Sequence, residues 1–152
     1  VIYMANTLRK RSIKSNKTRA HKPSHSQKHT SEQEIILTFL EILNTIKLYH
    51  WKTHSYATHK ATDELQSKLA DNVDTFVETM LGKNGHRVQL TSVKTINLND
   101  FNEIDDFKVT INAFKTFLIN LQLSPADTDL LNIRDEMLAL INKSKYLITL
   151  KY

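Results

Sequence analysis

Apolar residues recur every three or four positions in four segments of this 152-residue chain, which is the period of an amphipathic α-helix. We predict helices over residues 31–50, 58–81 and 104–121, and from Ser124 onward. Ser31 and Glu34 form a capping box at the first start, Gly82 is expected to cap the second helix, and Pro125 falls in the first turn of the fourth. With only two glycines, the chain is poorly suited to β-hairpins, whose turns need positive φ. The sequence therefore predicts an all-α domain over residues 31–152.

The lengths of the connections predict how the four helices are arranged. Short links join the first helix to the second and the third to the fourth, so each pair should form an antiparallel hairpin. Residues 82–103 separate the second helix from the third, and a link of that length can run along the whole bundle. Four helices with one long crossover in the middle make up the ferritin-like arrangement. The fold class that we predict is a ferritin-like four-helix bundle.

Basic residues are concentrated at the start of the chain. Residues 1–30 carry eight basic side chains and no acidic one, whereas the rest of the chain has more acidic than basic residues. The segment is poor in aliphatic residues, so we predict a disordered tail. Such a tail is expected to bind DNA or another polyanion through phosphate neutralisation, and a solubilising tail without a specific partner is the alternative. The basic residues are Arg9, Lys10, Arg11, Lys14, Lys17, Arg19, Lys22 and Lys28.

The composition excludes several classes of protein and of functional site. Without cysteine, there is no disulfide framework, zinc–thiolate site, iron–sulfur cluster or cysteine nucleophile. Two glycines are too few for a glycine-rich phosphate-binding loop. No apolar run approaches the roughly 20 residues that span a bilayer, and no secretory signal is apparent. We expect a protein that has no membrane partner and is not secreted, located in the cytoplasm, on the nucleoid or in a virus particle.

The second predicted helix carries a polar stripe in addition to its apolar one. His59 and Asp63 are four residues apart, and so are Asp74 and Glu78. All four fall within a sector of roughly 100° that lies far around the helix from the apolar stripe. Side chains at i and i+4 can converge on one ion, and carboxylates with imidazoles suit iron, manganese or zinc. A ligand row that faces away from its own core can be enclosed only by a second subunit.

Three short stretches resemble the Dps mini-ferritins, the DNA-binding proteins from starved cells. They are residues 49–51 (YHW), 59–65 (HKATDEL) and 74–78 (DTFVE). The motif of that family has a histidine before a tryptophan on the first helix. On the second helix it has a histidine and an aspartate four residues apart, followed by an aspartate and a glutamate four residues apart. The resemblance is good over residues 31–82 and extends over residues 83–152 only in the order and length of the helices.

The resemblance implies a function, an assembly and a set of ligands. Family members are ferritin-like subunits that form hollow dodecamers from dimers, oxidise iron and store it, and several carry a lysine-rich arm that binds DNA. By resemblance, His50, His59 and Asp63 of one subunit would face Asp74 and Glu78 of a twofold-related subunit across an iron site, with one or two ions. The same five residues would be the catalytic ones in a ferroxidase that uses peroxide or oxygen.

Two features leave alternatives open. The step from His50 to His59 is shorter by about three residues than the family pattern, so His54 could replace His50 as a ligand, or the site could be broken. A basic leader on a small helical body also resembles proteins packaged in large DNA-virus particles. The chain would then be a structural or DNA-packaging protein with a residual metal site, and other virion proteins would be its partners. In either case we expect Trp51 to be a packing anchor near the end of the first helix.

Overall fold

The computed structural model of the chain describes residues 30–150, and over this range it contains four helices and no strand. The helices are α1 (Glu32–Lys52), α2 (Tyr56–Asn84), α3 (Ile104–Ile119) and α4 (Thr128–Ile148). The all-α class and the four helices are thus confirmed. None of these helices is long and apolar enough to cross a membrane. The predicted basic tail, with its eight lysine and arginine residues, lies outside the described residues.

Contacts between helix ends show that α2 runs antiparallel to both α1 and α4. The side-chain amide of Asn84, at the end of α2, donates a hydrogen bond of 3.0 Å to Glu32 at the start of α1. The ammonium group of Lys83, also near the end of α2, lies 2.9 Å from the carboxylate of Asp129 at the start of α4. The last turn of α2 therefore meets the first turn of each neighbour.

Helix α3 is also antiparallel to α1, as aromatic contacts show. Tyr49, near the end of α1, stacks on Phe107 in the first turn of α3, with ring centroids 4.2 Å apart. Phe39, in the first half of α1, makes an edge contact with Phe114 in the second half of α3 at 6.1 Å. Since α2 and α3 both run opposite to α1, they are parallel to each other. The chain between them must return along the bundle.

The link between α2 and α3 makes this return beside α1. Near its beginning, the side-chain amide of Gln33 donates to the carbonyl of Gln89 at 2.6 Å. Halfway, the carboxylate of Glu41 accepts a hydrogen bond of 3.0 Å from the link backbone. Near its end, Lys52 in the last turn of α1 forms an ion pair with Asp100. Three polar side chains of α1, spread over its length, thus hold the link in place.

A single apolar core lies between the four helices, with Phe39 at its centre. This side chain is fully buried and makes edge contacts with Phe76 of α2 at 5.4 Å and Phe114 of α3 at 6.1 Å. Aromatic pairs in this geometry add to the stabilisation that burial itself provides. The other buried hydrophobic members are Ile35, Ile36, Ile42, Ile46, Tyr49, Leu65, Leu69, Val73, Met80, Phe107, Ile111, Leu118, Leu121, Leu130, Met137 and Ile141.

The predicted cap of α2 is wrong. Gly82 lies inside the helix, and the helix ends at Gly85, whose φ is 72°. The backbone N–H of Gly85 donates to the carbonyl of Leu81 at 2.9 Å, which satisfies one of the free carbonyls at the helix end. At the start of α1, the Ser31 half of the predicted capping box is confirmed, because the hydroxyl of Ser31 accepts a hydrogen bond from the backbone N–H of Glu34.

Helix α4 begins four residues later than predicted. Residues 124–127 form a turn in which the N–H of Asp127 donates to the carbonyl of Ser124 at 2.9 Å. The carboxylate of Asp127 accepts from the N–H of Ser124 and also lies 2.8 Å from the ammonium of Lys83. The salt bridge raises the pKa of Lys83 and lowers that of Asp127. Pro125 therefore belongs to the turn, and the helix starts at Thr128.

We predict that replacing the two glycines by alanine changes stability in opposite directions. Gly85→Ala forces an alanine into the left-handed region and should lower the free energy of unfolding by about 1–2 kcal/mol. Gly82→Ala places a better helix former in open space and should raise it by about 0.5–1 kcal/mol. Urea denaturation followed by circular dichroism measures both. A loss of stability in Gly82→Ala would place the helix end where the sequence alone suggested it.

One carboxylate binds α2 to α4 in the first half of α2. The ammonium groups of Lys143 and Lys68 each lie 2.7 Å from the same oxygen of Glu64. The hydrogen bond from Lys143 is the largest cause, and that from Lys68 the second, of a pKa of Glu64 lowered to about 2. The unfolded chain has no such partners. The ionised form is therefore favoured by folding.

We predict that this ion pair contributes to stability only above strongly acidic pH. Because the folded pKa lies below the unfolded one, the contribution is complete above about pH 4.5 and is lost as the pH falls towards 2. Since the pair is half-exposed, Glu64→Gln should cost only about 1 kcal/mol or less at neutral pH. Urea titrations at several pH values should show this cost vanish near pH 2. Glu136→Gln, at an exposed position of α4, is the matched control variant.

Candidate metal centre

The predicted ligands lie on α1 and α2, at the places that the helical period assigned to them. His50 lies in the last turn of α1 and is buried, whereas His59, in the first turns of α2, is half-buried. Asp63, Asp74 and Glu78 are exposed on α2. The polar stripe of α2 therefore faces away from the core, while the histidine of α1 faces inward.

His50 and His59 exchange a pair of hydrogen bonds. The Nδ1 atom of His50 lies 3.0 Å from the carbonyl oxygen of His59, and the Nδ1 atom of His59 lies 3.1 Å from the carbonyl oxygen of His50. The rings stack with their centroids 4.0 Å apart. Only residues 53–55 separate the two helices, and this short turn brings the rings together. We refer to His50 and His59 as the histidine pair.

The histidine pair has a defined tautomer. A carbonyl oxygen can only accept a hydrogen bond, so the Nδ1 atom of each ring carries the proton that is donated. In the neutral rings, the lone pair is then on Nε2. Metal-binding histidines commonly use this arrangement, in which one ring nitrogen donates to a carbonyl while the other binds the ion. Both rings therefore have the tautomer that a metal site with Nε2 ligands requires.

Asp63 is close to one of these nitrogens. Its Oδ1 atom lies 3.8 Å from the Nε2 atom of His50. Two metal–ligand bonds of about 2.1 Å can span up to about 4.2 Å, so both atoms could bind one ion without movement of the backbone. The structure thus places Asp63 beside His50, and His50 in turn pairs with His59, at the junction of α1 and α2.

Asp74 and Glu78 are not part of this group. Fifteen residues of helix separate His59 from Asp74, which is about 22 Å along the axis. In the part of the chain that the structure describes, no three histidine or carboxylate side chains converge closely enough to hold a metal ion. The predicted ligands therefore fall into two groups that are far apart along α2, and within residues 30–150 neither group forms a metal-binding cluster.

The sequence did not predict the buried hydroxyl of Thr62, which lies beneath the histidine pair. Thr62 is fully buried, and its Oγ1 atom lies 2.8 Å from the carbonyl oxygen of Thr58 and 3.4 Å from the Nδ1 atom of His50. Thr58 and Thr62 are polar residues at i and i+4 on the buried side of α2, and this spacing was the available signal. A hydroxyl at this position supports the orientation of the His50 ring.

The prediction for Trp51 is wrong. Its side chain is 69% exposed, and the ammonium group of Lys47 lies 5.6 Å from the ring centroid. The reason is its position one residue after His50, because a step of about 100° turns it away from the core. His54 is exposed in the turn, so the buried ring in the pair is that of His50.

We predict that the two nearby histidines differ in their effect on stability. His50→Ala removes a buried ring and one hydrogen bond of the pair, and should lower the free energy of unfolding by about 2 kcal/mol. His54→Ala changes an exposed side chain and should remain within about 0.5 kcal/mol of the wild type. Urea denaturation without added metal measures both. Equal effects would mean that the bonds of the histidine pair do not hold the α1–α2 junction.

Comparison with known proteins identifies a family. Residues 50–148 match the model of a protein family of unknown function (DUF5856). Neither the curated proteins nor the solved structures contain a match to the chain. The matched region includes all five predicted ligands and the whole of α2, α3 and α4. Since this region is well over half of the sequence, the chain belongs to the DUF5856 family of unknown function.

Proposed function

We propose that the protein forms a twofold dimer that binds iron between its subunits and oxidises it, in the manner of a Dps-type mini-ferritin. The observation that carries the proposal is the pair of incomplete ligand groups on the exposed face of α2. One group supplies nitrogen ligands in the required tautomer, and the other supplies two carboxylates. The histidine pair with Asp63 has a single carboxylate, and Asp74 with Glu78 has no imidazole, so each group would add ligands to the other.

The positions of the two groups suit a twofold axis. His59 and Asp63 lie as far before the midpoint between residues 68 and 69 as Glu78 and Asp74 lie after it. If α2 packs antiparallel against its copy around that midpoint, His59 meets Glu78 of the partner subunit. In the same register, Asp63 meets Asp74 of the partner subunit. One dimer would therefore hold two identical sites.

The residues around the midpoint permit a close approach. Ser67 and Ala70 flank it symmetrically within the same sector of α2, and both are small. The distance between packed helices depends on the side chains at the contact, so small residues bring the axes nearer. Short carboxylate side chains on both helices could then reach the same ion.

The charges of this arrangement require a cation. Asp63 against Asp74 of the partner subunit places two carboxylates together, and like charges disfavour ionisation of both. A bound divalent cation removes this repulsion, and carboxylates with imidazoles are suitable ligands for Fe(II). Iron is the substrate, and its oxidation by peroxide or oxygen needs open coordination positions beside the protein ligands. Here the protein would hold the ion, and the bonds from both Nδ1 atoms to carbonyls leave the Nε2 atoms available as ligands.

The rest of the chain fits the same proposal. The link that returns beside α1 makes α2 and α3 parallel, and this is compatible with a ferritin-like bundle with one long crossover and with a cage-forming subunit, such as that of a dodecamer. The eight basic residues before residue 30 would bind DNA through its phosphates. A protein that combines both activities would remove iron close to the DNA that iron-derived radicals damage.

A structural protein of a virus particle is the second candidate. The observation that favours it is the set of large apolar side chains on the surface, which suits contacts with other proteins. Such contacts would be with other virion proteins, and the metal ligands would then be residual. The exposed side chains include Trp51, Leu98, Val109, Ile119 and Tyr146.

We predict that the iron site can be rebuilt from two inactive variants. His59→Ala/Asp63→Asn removes one ligand group, and Asp74→Asn/Glu78→Gln removes the other, so each variant alone should lose fast oxidation of Fe(II). In a mixed dimer, one site carries both defects and the other has all its ligands. After co-refolding, each mixed dimer should therefore bind up to about half as much iron as a wild-type dimer. Stopped-flow absorbance after addition of peroxide, with metal analysis of the same sample, measures this.

The control replaces another exposed carboxylate of the same helix. Asp71→Asn lies outside the ligand register and should leave iron oxidation close to that of the wild type. Activity that persists in both double variants would exclude this site. Loss that co-refolding does not restore, in dimers shown by native mass spectrometry to be mixed, would exclude ligands shared between subunits. A wild-type protein without a fast ferric phase would leave the structural candidate.

A further inference from the structure

Two lysines on the surface groove between α3 and α4 are held by amide oxygens instead of carboxylates. The ammonium of Lys115 donates to the side-chain oxygen of Asn142 at 2.8 Å. The ammonium of Lys145 donates to the side-chain oxygen of Asn112 at 2.7 Å. The two bonds cross the groove in opposite directions, which joins all four side chains into one patch. We refer to these four residues as the α3–α4 patch.

The α3–α4 patch contains uncompensated positive charge. An asparagine side chain is neutral, so neither ammonium group is neutralised by its partner. The nearest carboxylates on the same helices are more than one helical turn away from the lysines. They are those of Asp105 and Asp106 on α3, and those of Asp135 and Glu136 on α4. Six other basic residues of the described chain pair with carboxylates, namely Lys52, Lys68, Lys83, Lys108, Arg134 and Lys143. Within residues 30–150, Lys47, Lys60, Arg87 and Lys94 form no ion pair, but they are not joined across two helices as Lys115 and Lys145 are.

The hydrogen-bonding groups that remain free in the patch are mostly donors. An ammonium group can only donate, so each asparagine must direct its oxygen at the lysine and its NH₂ group away from it. Asn112 and Asn142 are exposed, so these NH₂ groups face solvent. Each ammonium group also keeps two further N–H bonds. Positive charge together with free donors is the chemistry that binds phosphate oxygens.

We propose that the α3–α4 patch binds the phosphate backbone of duplex DNA as a second contact beside the basic N-terminal segment. The proposal rests on the DNA-binding part of the proposed function and is independent of the iron site. The patch is about 10 Å across, since α3 and α4 are packed neighbours with axes about 8–10 Å apart. Duplex DNA carries one charge per about 1.7 Å of its axis, so such a patch meets several phosphates whatever the sequence.

A polymer is a more suitable occupant than a small anion. Two exposed ammonium groups bind an isolated phosphate weakly, because both partners remain well hydrated. DNA that is already bound by the N-terminal segment is present at a high effective concentration near the patch. Weak contacts then add to the affinity of the whole complex. The patch should therefore affect DNA binding without binding inorganic phosphate measurably on its own.

The test is the salt dependence of DNA binding by the full chain. Fluorescence anisotropy with a short random duplex, between about 50 and 200 mM salt, gives the slope of log affinity against log salt. Lys115→Gln/Lys145→Gln should reduce the magnitude of this slope by about 1.8, and each single variant by about 0.9. If the double variant does not fold, the two single variants still test the proposal.

The control removes the same charge elsewhere. Arg87→Gln/Lys94→Gln changes two basic residues of the α2–α3 link, and its slope should equal that of the wild type. An equal reduction in the control would overturn the proposal, because net charge alone would then explain the effect. An unchanged slope in the patch variants would overturn it while leaving binding by the N-terminal segment intact. A wild-type protein that binds no DNA would overturn both, and iron oxidation would still be tested separately.

Discussion

The two hydrogen bonds between His50 and His59 determine how α1 and α2 meet. Each ring donates to the carbonyl of the other residue, so a shift of either helix by one residue would break both bonds together. The turn of residues 53–55 is too short to absorb such a shift. This fixed register places Thr62 beneath the rings and Asp63 beside the Nε2 atom of His50. The chemistry available at the junction thus follows from one local contact.

The helices could be predicted from the sequence because their apolar period is local information. Their ends could not, since these depend on contacts between distant residues. Asp127 forms an ion pair with Lys83 of α2. This contact accompanies the turn of residues 124–127, and α4 therefore begins later than the sequence predicts. Gly82 was the predicted cap, but the helix passes through it and is capped by Gly85, whose φ is 72°. Position along the chain does not indicate which glycine the helix passes through.

The candidate site could be predicted in part for the same reason. Helical geometry at about 100° per residue places Asp63, Asp74 and Glu78 on one face of α2, and they are exposed there. It could not predict the tautomers of His50 and His59, because these depend on carbonyl groups across the turn. The α3–α4 patch gave no signal either, since its bonds join residues that are 27 and 33 positions apart. Periodicity assigns residues to faces, but partners on another helix require the fold.

The positions of the two charged surfaces allow assembly and DNA binding to occur together. Within residues 30–150 the backbones of α2 and α3 do not approach each other closely, whereas both helices pack against α1 and α4, so α2 and α3 lie at diagonal corners of the bundle. The acidic outer face of α2 therefore points away from the groove that Lys115 and Lys145 occupy. Carboxylates at Asp74 and Glu78 repel phosphate, and a dimer formed through α2 would bury them. The remaining surface of the dimer would then present the basic patch of each subunit. On this proposal, one fold would separate the surface that binds a cation from the surface that attracts an anion.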